Sequence, residues 1–225
     1  DIYDHSYRVL DEVAKLADGD VGLLLAGLLH DIAKPATKQY VAEKMHSTFH
    51  DHHMDGVPLT RAILERLRFP NDITDRVCRL VENHLKPHQL SGAPNVTDKS
   101  IRRFIRDMGE DLKAVIDLSE ADIRGRTAET PGTLEKDLGN LGRFRERVEK
   151  LQAESPGMAE MKPLIDGNEL QSMFDRKPGK WIGDAQKYLL DLQLGDPTMT
   201  KEKAAEAIRA WLDSAETPAA PSELT

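Results

Sequence analysis

Apolar side chains recur at three- and four-residue spacing along most of this chain, the period of an amphipathic helix rather than the alternation of a strand. Val9, Leu10, Val13 and Leu16 share one face of a helix over residues 4–17. Residues 21–29 are apolar all round, which predicts a buried helix capped by Asp20 and closed by Pro35, with its end near residue 33. Leu59, Ile63, Leu64 and Leu67 predict a helix over about 57–67. Ile73, Val77, Leu80 and Val81 predict another, opening at Asn71-Asp72, carrying His84 in its last turn and stopped by Pro87.

Residues 91–95 read as a loop, followed by helices at about 98–108 and 110–124. Thr130-Pro131-Gly132-Thr133 marks a break, after which a charged helix runs to about 153, and Ser155-Pro156-Gly157 marks a second. Three further helices are expected: one opening at Asp166-Gly167-Asn168-Glu169-Leu170, one over 181–194 and one over 201–212. Residues 39–55 are polar and rich in histidine. The expectation is an all-α protein: a helical domain over 1–128, a connecting helix over 129–154, a smaller C-terminal helical region over 155–216, and a Pro/Ala/Ser-rich disordered tail from 217.

Composition narrows the class. The 225 residues suffice for a real core, and 39% hydrophobic with 31% charged residues is ordinary for a helical, water-soluble protein. The longest apolar stretch is far too short to span a bilayer, no secretory signal is visible, and a cytoplasmic protein without membrane association is expected. The single cysteine, Cys78, excludes an internal disulfide and a cysteine zinc knuckle, and reads as buried filler. The net charge of −8 speaks against whole-surface attraction to nucleic acid. Two local basic stretches, 99–106 and 177–181, remain able to steer a phosphate, although solvated helix faces account for most such runs.

The chemistry is carried by His30-Asp31, an imidazole and a carboxylate on consecutive residues at the end of the apolar helix. With His5 upstream and His52, His84 and Asp122 downstream they give the pattern H…HD…H…H…D, four imidazoles and two carboxylates from five elements. Helical bundles build metal centres by converging such side chains. The set suits one or two divalent ions among Mn, Fe, Ni, Co, Zn and Mg. Asp31 is placed to bridge two metals about 3.5–4 Å apart, and water activated there would attack a phosphoryl group without a Ser or Cys nucleophile. Lys34, one turn past His30, would face the same pocket and bind a non-bridging phosphate oxygen. Alternatives stay open: Asp117 competes with Asp122, His50 and His53 with His52, and His84 can be read as a helix-end histidine favoured by the dipole. His46 and His88 read as surface residues, and Arg103, Arg124 and Arg126 either flank the pocket or form surface salt bridges.

His5, His30-Asp31 and Asp122 resemble the H…HD…D pattern of the HD-domain metal-dependent phosphohydrolase superfamily. Leu28-Leu29-His30-Asp31-Ile32-Ala33-Lys34-Pro35, Phe49-His50-Asp51-His52…Gly56 and Leu118-Ser119-Glu120-Ala121-Asp122 are similar to the HD region of bacterial tRNA nucleotidyltransferases and poly(A) polymerases. Ile165-Asp166-Gly167-Asn168-Glu169-Leu170 and Pro178-Gly179-Lys180-Trp181-Ile182-Gly183 resemble that family's C-terminal tRNA-binding helices, so the likeness covers about 1–212. It favours Asp122 over Asp117 through the family's Ala-Asp ending, and the Phe49-x-x-His52-x-x-x-Gly56 spacing favours His52.

The resemblance implies a phosphodiesterase or phosphatase of the 2′,3′-cyclic nucleotide type. Catalytic roles would fall to Asp31 and Lys34, substrate contacts to Lys34 and Arg126, and metal ligation to His5, His30, Asp31, His52, His84 and Asp122. Partners would be a phosphate ester or nucleotide, with tRNA as a further one; the sequence carries no signal for an oligomeric state. No Gly-Ser motif with paired aspartates occurs in these residues, so CCA addition is not expected from them, and the sequence is read as a fragment or a trimmed stand-alone HD protein. The rival reading is a non-catalytic module that binds RNA or senses nucleotides.

Overall fold

A computed structural model describes residues 2–41, 46–127 and 132–214. The expected break at Thr130-Pro131, the side chain of His46 and the tail from 217 lie outside the described residues. Among the described residues the protein is all-α apart from one short hairpin. In chain order the first elements are α1 (Ile2–Leu16), α2 (Val21–Leu29), α3 (Lys34–Thr37), strands β1 (Lys38–Val41) and β2 (His46–Phe49), and α4 (His52–Arg66). They are followed by α5 (Asn71–Asn83), α6 (Lys86–Gly92), α7 (Asp98–Met108), α8 (Leu112–Gly125) and α9 (Thr133–Glu154), then α10 (Gly167–Phe174), α11 (Lys180–Gly195) and α12 (Lys201–Ser214).

Two compact units result: residues up to 96 with 108–150, and residues 97–107 with the described residues from 151 on. In the first, α1 packs on α2 and α8, α2 on α5, and α5 on α4. Its core includes Val9, Val13, Ala26, Leu64, Val77, Leu80, Val115, Leu118 and Ile123, all fully buried. Two glycines let the helices close. A Cβ on Gly27 of α2 would stand 2.9 Å from Val13 Cγ2, and one on Gly125 of α8 would stand 2.6 Å from Val9 Cγ2 and 3.1 Å from the Val9 amide nitrogen. In the second unit Ile165, Leu170, Ala185, Leu189, Ala204 and Ile208 form the core, and Tyr188 stacks on Trp211. A capping box at Asp166 and Glu169 starts α10 there.

Several elements differ from the sequence expectation, each for a physical reason. Asp20 caps α2 by accepting from the Leu23 amide, but α2 ends at Leu29 rather than 33. Pro35 and Pro87, expected as helix stops, instead lie in the first turns of α3 and α6, where the missing N–H has no intrahelical partner to lose. The helix expected from 57 starts at His52 and takes Pro58 inside it. Its buried row is His52, Gly56, Thr60 and Leu64, at four-residue spacing, whereas Leu59 and Leu67 are exposed. A Cβ on Gly56 would meet Val81 Cγ1 of α5 at 3.2 Å. That close face offsets the hydrogen bond Pro58 cannot make, and a row of His, Gly and Thr is invisible to a hydrophobic pattern. The histidine-rich segment holds the antiparallel pair β1–β2, with Lys38 opposite Phe49 and Gln39 opposite Thr48.

Candidate metal centre

The four histidines His5, His30, His52 and His84 converge on Asp31 and Asp122, and each ring is fixed the same way. A helix or strand that ends leaves carbonyls without a backbone partner. His30 Nδ1 donates to Gly27 O at 2.9 Å, His84 Nδ1 to Val81 O at 2.7 Å and His52 Nδ1 to Phe49 O at 2.8 Å, all three residues back in the chain. His5 Nδ1 donates to Gly125 O, 3.2 Å away on α8, across the close approach that Gly125 permits. With Nδ1 turned to a carbonyl, every Nε2 faces inward.

The two carboxylates occupy the space those nitrogens face. Asp31 Oδ2 lies 3.5 Å from His5 Nε2 and 3.3 Å from His30 Nε2, while Oδ1 lies 3.3 Å from His52 Nε2 and 3.9 Å from His84 Nε2. Asp122 Oδ1 lies 3.0 Å from His5 Nε2 and 3.7 Å from His30 Nε2. Two triads result, His5, His30 and Asp122 on one side and Asp31, His52 and His84 on the other, each with ligand atoms within 4.8 Å of one another. Asp31 touches both. His30, Asp31 and His84 are at most 1% exposed. The Nε2 atoms of His30, His52 and His84 and the Oδ1 of Asp31 have no hydrogen-bond partner among the described residues.

Imidazole nitrogens and carboxylate oxygens this close in a buried space need a proton or a metal cation between them. Burial opposes a charge on His30, but Asp122 and Asp31 outweigh it and push the imidazole up to about 10. Burial likewise opposes charge on both carboxylates, yet His30 holds Asp31 and Asp122 well below the ordinary range, with His52 assisting at Asp31 and His5 at Asp122. His84 goes the other way, down to about 3, through burial and the charge of His30, and so keeps its lone pair at neutral pH. Carboxylates that retain a proton on a buried imidazole this firmly suit a divalent cation, and the donor set of imidazole nitrogen and carboxylate oxygen fits one.

A cavity of about 530 Å³ opens onto this cluster, lined by His5, Asp31, Arg8, Lys34, Lys38, Phe49 and Arg126 among others. Lys34 lies beneath the Phe49 ring with Nζ 2.6 Å from Asp31 Oδ2. Arg126 reaches the cavity but is engaged by Asp122 at 3.0 Å and Asp137 at 3.3 Å. The alternatives left by the sequence stand elsewhere. Asp117 is buried but gripped by Lys113 at 2.6 Å and Arg145 at 2.9 Å. His50 is exposed, and His53 is half-buried and joins neither triad. Arg124 pairs with Glu120, and Arg103 with Asp191 in the second unit. His88, expected at the surface, is half-buried on α6. Arg8 and Lys38 line the cavity and were not singled out from sequence. Arg8, three residues beyond His5 on a helix, carried a positional signal; Lys38, on a hairpin the hydrophobic pattern did not show, carried none.

The HD domain family matches residues 2–126. The A-adding tRNA nucleotidyltransferase of Deinococcus radiodurans is 30% identical over 224 residues, 97% of this chain and 48% of that protein. The CC-adding tRNA nucleotidyltransferase of Thermus thermophilus is 30% identical over 189 residues, 83% of this chain and 39% of that protein. A multifunctional CCA protein of Xanthomonas campestris is 31% identical over 129 residues, 54% of this chain and 29% of its own length. The chain thus spans less than half the length of these relatives.

Proposed function

This chain belongs to the HD-domain family, and we propose that it is a metal-dependent phosphohydrolase acting on phosphodiesters or phosphomonoesters, with 2′,3′-cyclic nucleotides as the first substrates to try. The observation that carries this reading is the cluster of inward imidazole Nε2 atoms around Asp31 and Asp122. His5, His30 and Asp122 would hold one cation, His52 and His84 a second, with Asp31 shared between them. A divalent cation bound there supplies Lewis acidity to a phosphoryl oxygen and lowers the pKa of water to near neutrality. The chain's own residues do the rest. The four backbone carbonyls keep each ring in the ligating tautomer, so no reorganisation is needed when substrate arrives. Lys34, at the cavity edge of Asp31, is positioned to take a non-bridging phosphate oxygen and to stabilise the charge that develops on it. A cavity of about 530 Å³ is in the range that accommodates a nucleotide-sized ligand. The test is hydrolysis of bis(p-nitrophenyl) phosphate and a 2′,3′-cyclic nucleotide by stripped protein with Mn, Ni, Co or Mg restored in turn. Turnover that returns with a metal and is lost in His30→Ala supports the reading; absence of turnover with every metal in folded, metal-loaded protein refutes it.

A second reading, RNA binding without hydrolysis, draws on the tRNA-directed names of the relatives and on the second unit. There Arg176 lies over the ring of Trp181, whose Nε1 donates to Lys177 O, and Lys177 and Lys180 are exposed beside it. Salt-sensitive tRNA binding lost in Lys177→Ala/Lys180→Ala would support it. The basic stretch over 99–106 contributes less, since Lys99 and Arg103 both pair with Asp191.

A further inference from the structure

The cavity over the metal cluster carries more positive charge than a single reacting phosphate requires. Of its four cations, Lys34 is paired with Asp31 and Arg126 with Asp122 and Asp137. The other two, Arg8 and Lys38, have no carboxylate partner among the described residues. Arg8 is nevertheless held in place: its Nε donates to Gly125 O at 2.8 Å, the same carbonyl that receives His5 Nδ1. A guanidinium anchored through Nε keeps both Nη groups for a bidentate grip on an anion, and its fixed geometry lowers the entropic cost of that grip. Lys38 begins the hairpin directly across from Phe49, which also lines the cavity. A phosphodiester at the metal centre brings one negative charge, and that charge falls to the cations and Lys34. Two cations lining the same cavity and uncommitted among the described residues therefore call for a second anionic group on the same ligand.

We propose that Arg8 and Lys38 form a subsite for a second phosphate of the substrate, separate from the phosphate under attack, so that the preferred substrate is a nucleotide or RNA end bearing two phosphates. Arg8 is the principal contact and Lys38 the auxiliary one. This inference rests on the metal-site reading above, and it is tested by binding so that it does not depend on turnover.

The experiment is calorimetric titration of metal-loaded wild-type protein with adenosine 3′-phosphate and with adenosine 3′,5′-bisphosphate. The bisphosphate is expected to bind at least about tenfold tighter, the effect typical of a charge-assisted bidentate contact. Arg8→Gln should bring that ratio to within about twofold of one, Arg8→Lys should recover part of it, and Lys38→Gln should give an intermediate value. A 3′-phosphorylated dinucleotide distinguishes the sources: tight binding like that of the bisphosphate indicates an RNA end, and weak binding a mononucleotide, either supporting the subsite. Equal affinities for the two adenosine ligands in wild type would overturn the proposal. So would an Arg8→Gln protein in which both affinities fall by the same factor, because Arg8 would then act only through Gly125 and His5. A preserved bisphosphate preference in a protein that hydrolyses nothing would refute the phosphohydrolase reading and leave the subsite standing.

Discussion

Five residues apart on α8, Asp117 and Asp122 are both buried carboxylates, yet their surroundings differ in kind. Asp117 meets Lys113 and Arg145, side chains that are permanent cations with N–H groups to donate. Asp111, in the turn before α8, is served in the same way by Arg76 and Arg79, each at 2.7 Å. Asp122 and Asp31 also have such partners, in Arg126 and Lys34, but each in addition faces imidazole Nε2 atoms whose ring partners donate to backbone carbonyls. The first arrangement consists of permanent ion pairs alone. The second adds imidazole nitrogens that suit a cation, and the proposed ligand role of Asp31 and Asp122 rests on that asymmetry.

The sharpest way to break the comparison is to remove one carboxylate of each kind. Asp31→Ala should lose bound metal and lower hydrolysis more than about a hundredfold, beyond what loss of a supporting hydrogen bond around a metal costs. Asp117→Ala should retain metal and turnover while destabilising the fold by about 1–3 kcal/mol, as expected when hydrogen bonds to a charged group are lost. Metal analysis and urea unfolding of both variants check this pair. Next in size is metal linkage. A divalent cation at about a hundredfold over its Kd should raise wild-type stability by about 2.7 kcal/mol, a chelator should reverse the gain, and Asp31→Ala should show neither effect in thermal unfolding.

Gly125→Ala tests the scaffold. Its Cβ would stand 2.6 Å from Val9 Cγ2, so α1 and α8 must part, at a cost of about 1–3 kcal/mol. Moving Gly125 O away from His5 Nδ1 should also weaken metal binding roughly ten- to a hundredfold in a titration. The smallest effect concerns an ordinary ion pair. Arg76 holds the Asp20 carboxyl below its usual value against the opposing effect of partial burial. A depressed carboxylate contributes stability that is present above the unfolded value, about pH 4, and is lost as pH falls through the folded value. Asp20→Asn keeps an N-cap acceptor, so it should cost at most about 1 kcal/mol in urea unfolding at pH 7 and converge on wild type in acid.

Much of this was legible because it is local. His30-Asp31 follows a run apolar enough to predict a buried helix, and the helical period located most of the elements around it. The carboxylate distinction on α8 was legible only through the family resemblance, since the partners that separate Asp117 from Asp122 include Arg145 of α9, His5 of α1 and His30, all brought from far along the chain. Pro35 and Pro87 illustrate a second limit: a proline reads equally as the end of one helix or the start of the next, and here each opens the helix that follows a histidine. His52 sits in a buried row with Gly56 and Thr60, which carries no hydrophobic signal at all. Arg8 and Lys38 belong to no motif and become visible only as neighbours of one cavity.

The measurement that tests the central claim most directly is the metal content of wild-type and Asp31→Ala protein after stripping, reloading with Mn, Ni or Co and exhaustive desalting, with helicity followed by circular dichroism. The account predicts one or two ions retained per wild-type chain and none in the variant at unchanged helicity. A folded wild-type chain that retains no ion, or an Asp31→Ala chain that retains as much, would contradict it.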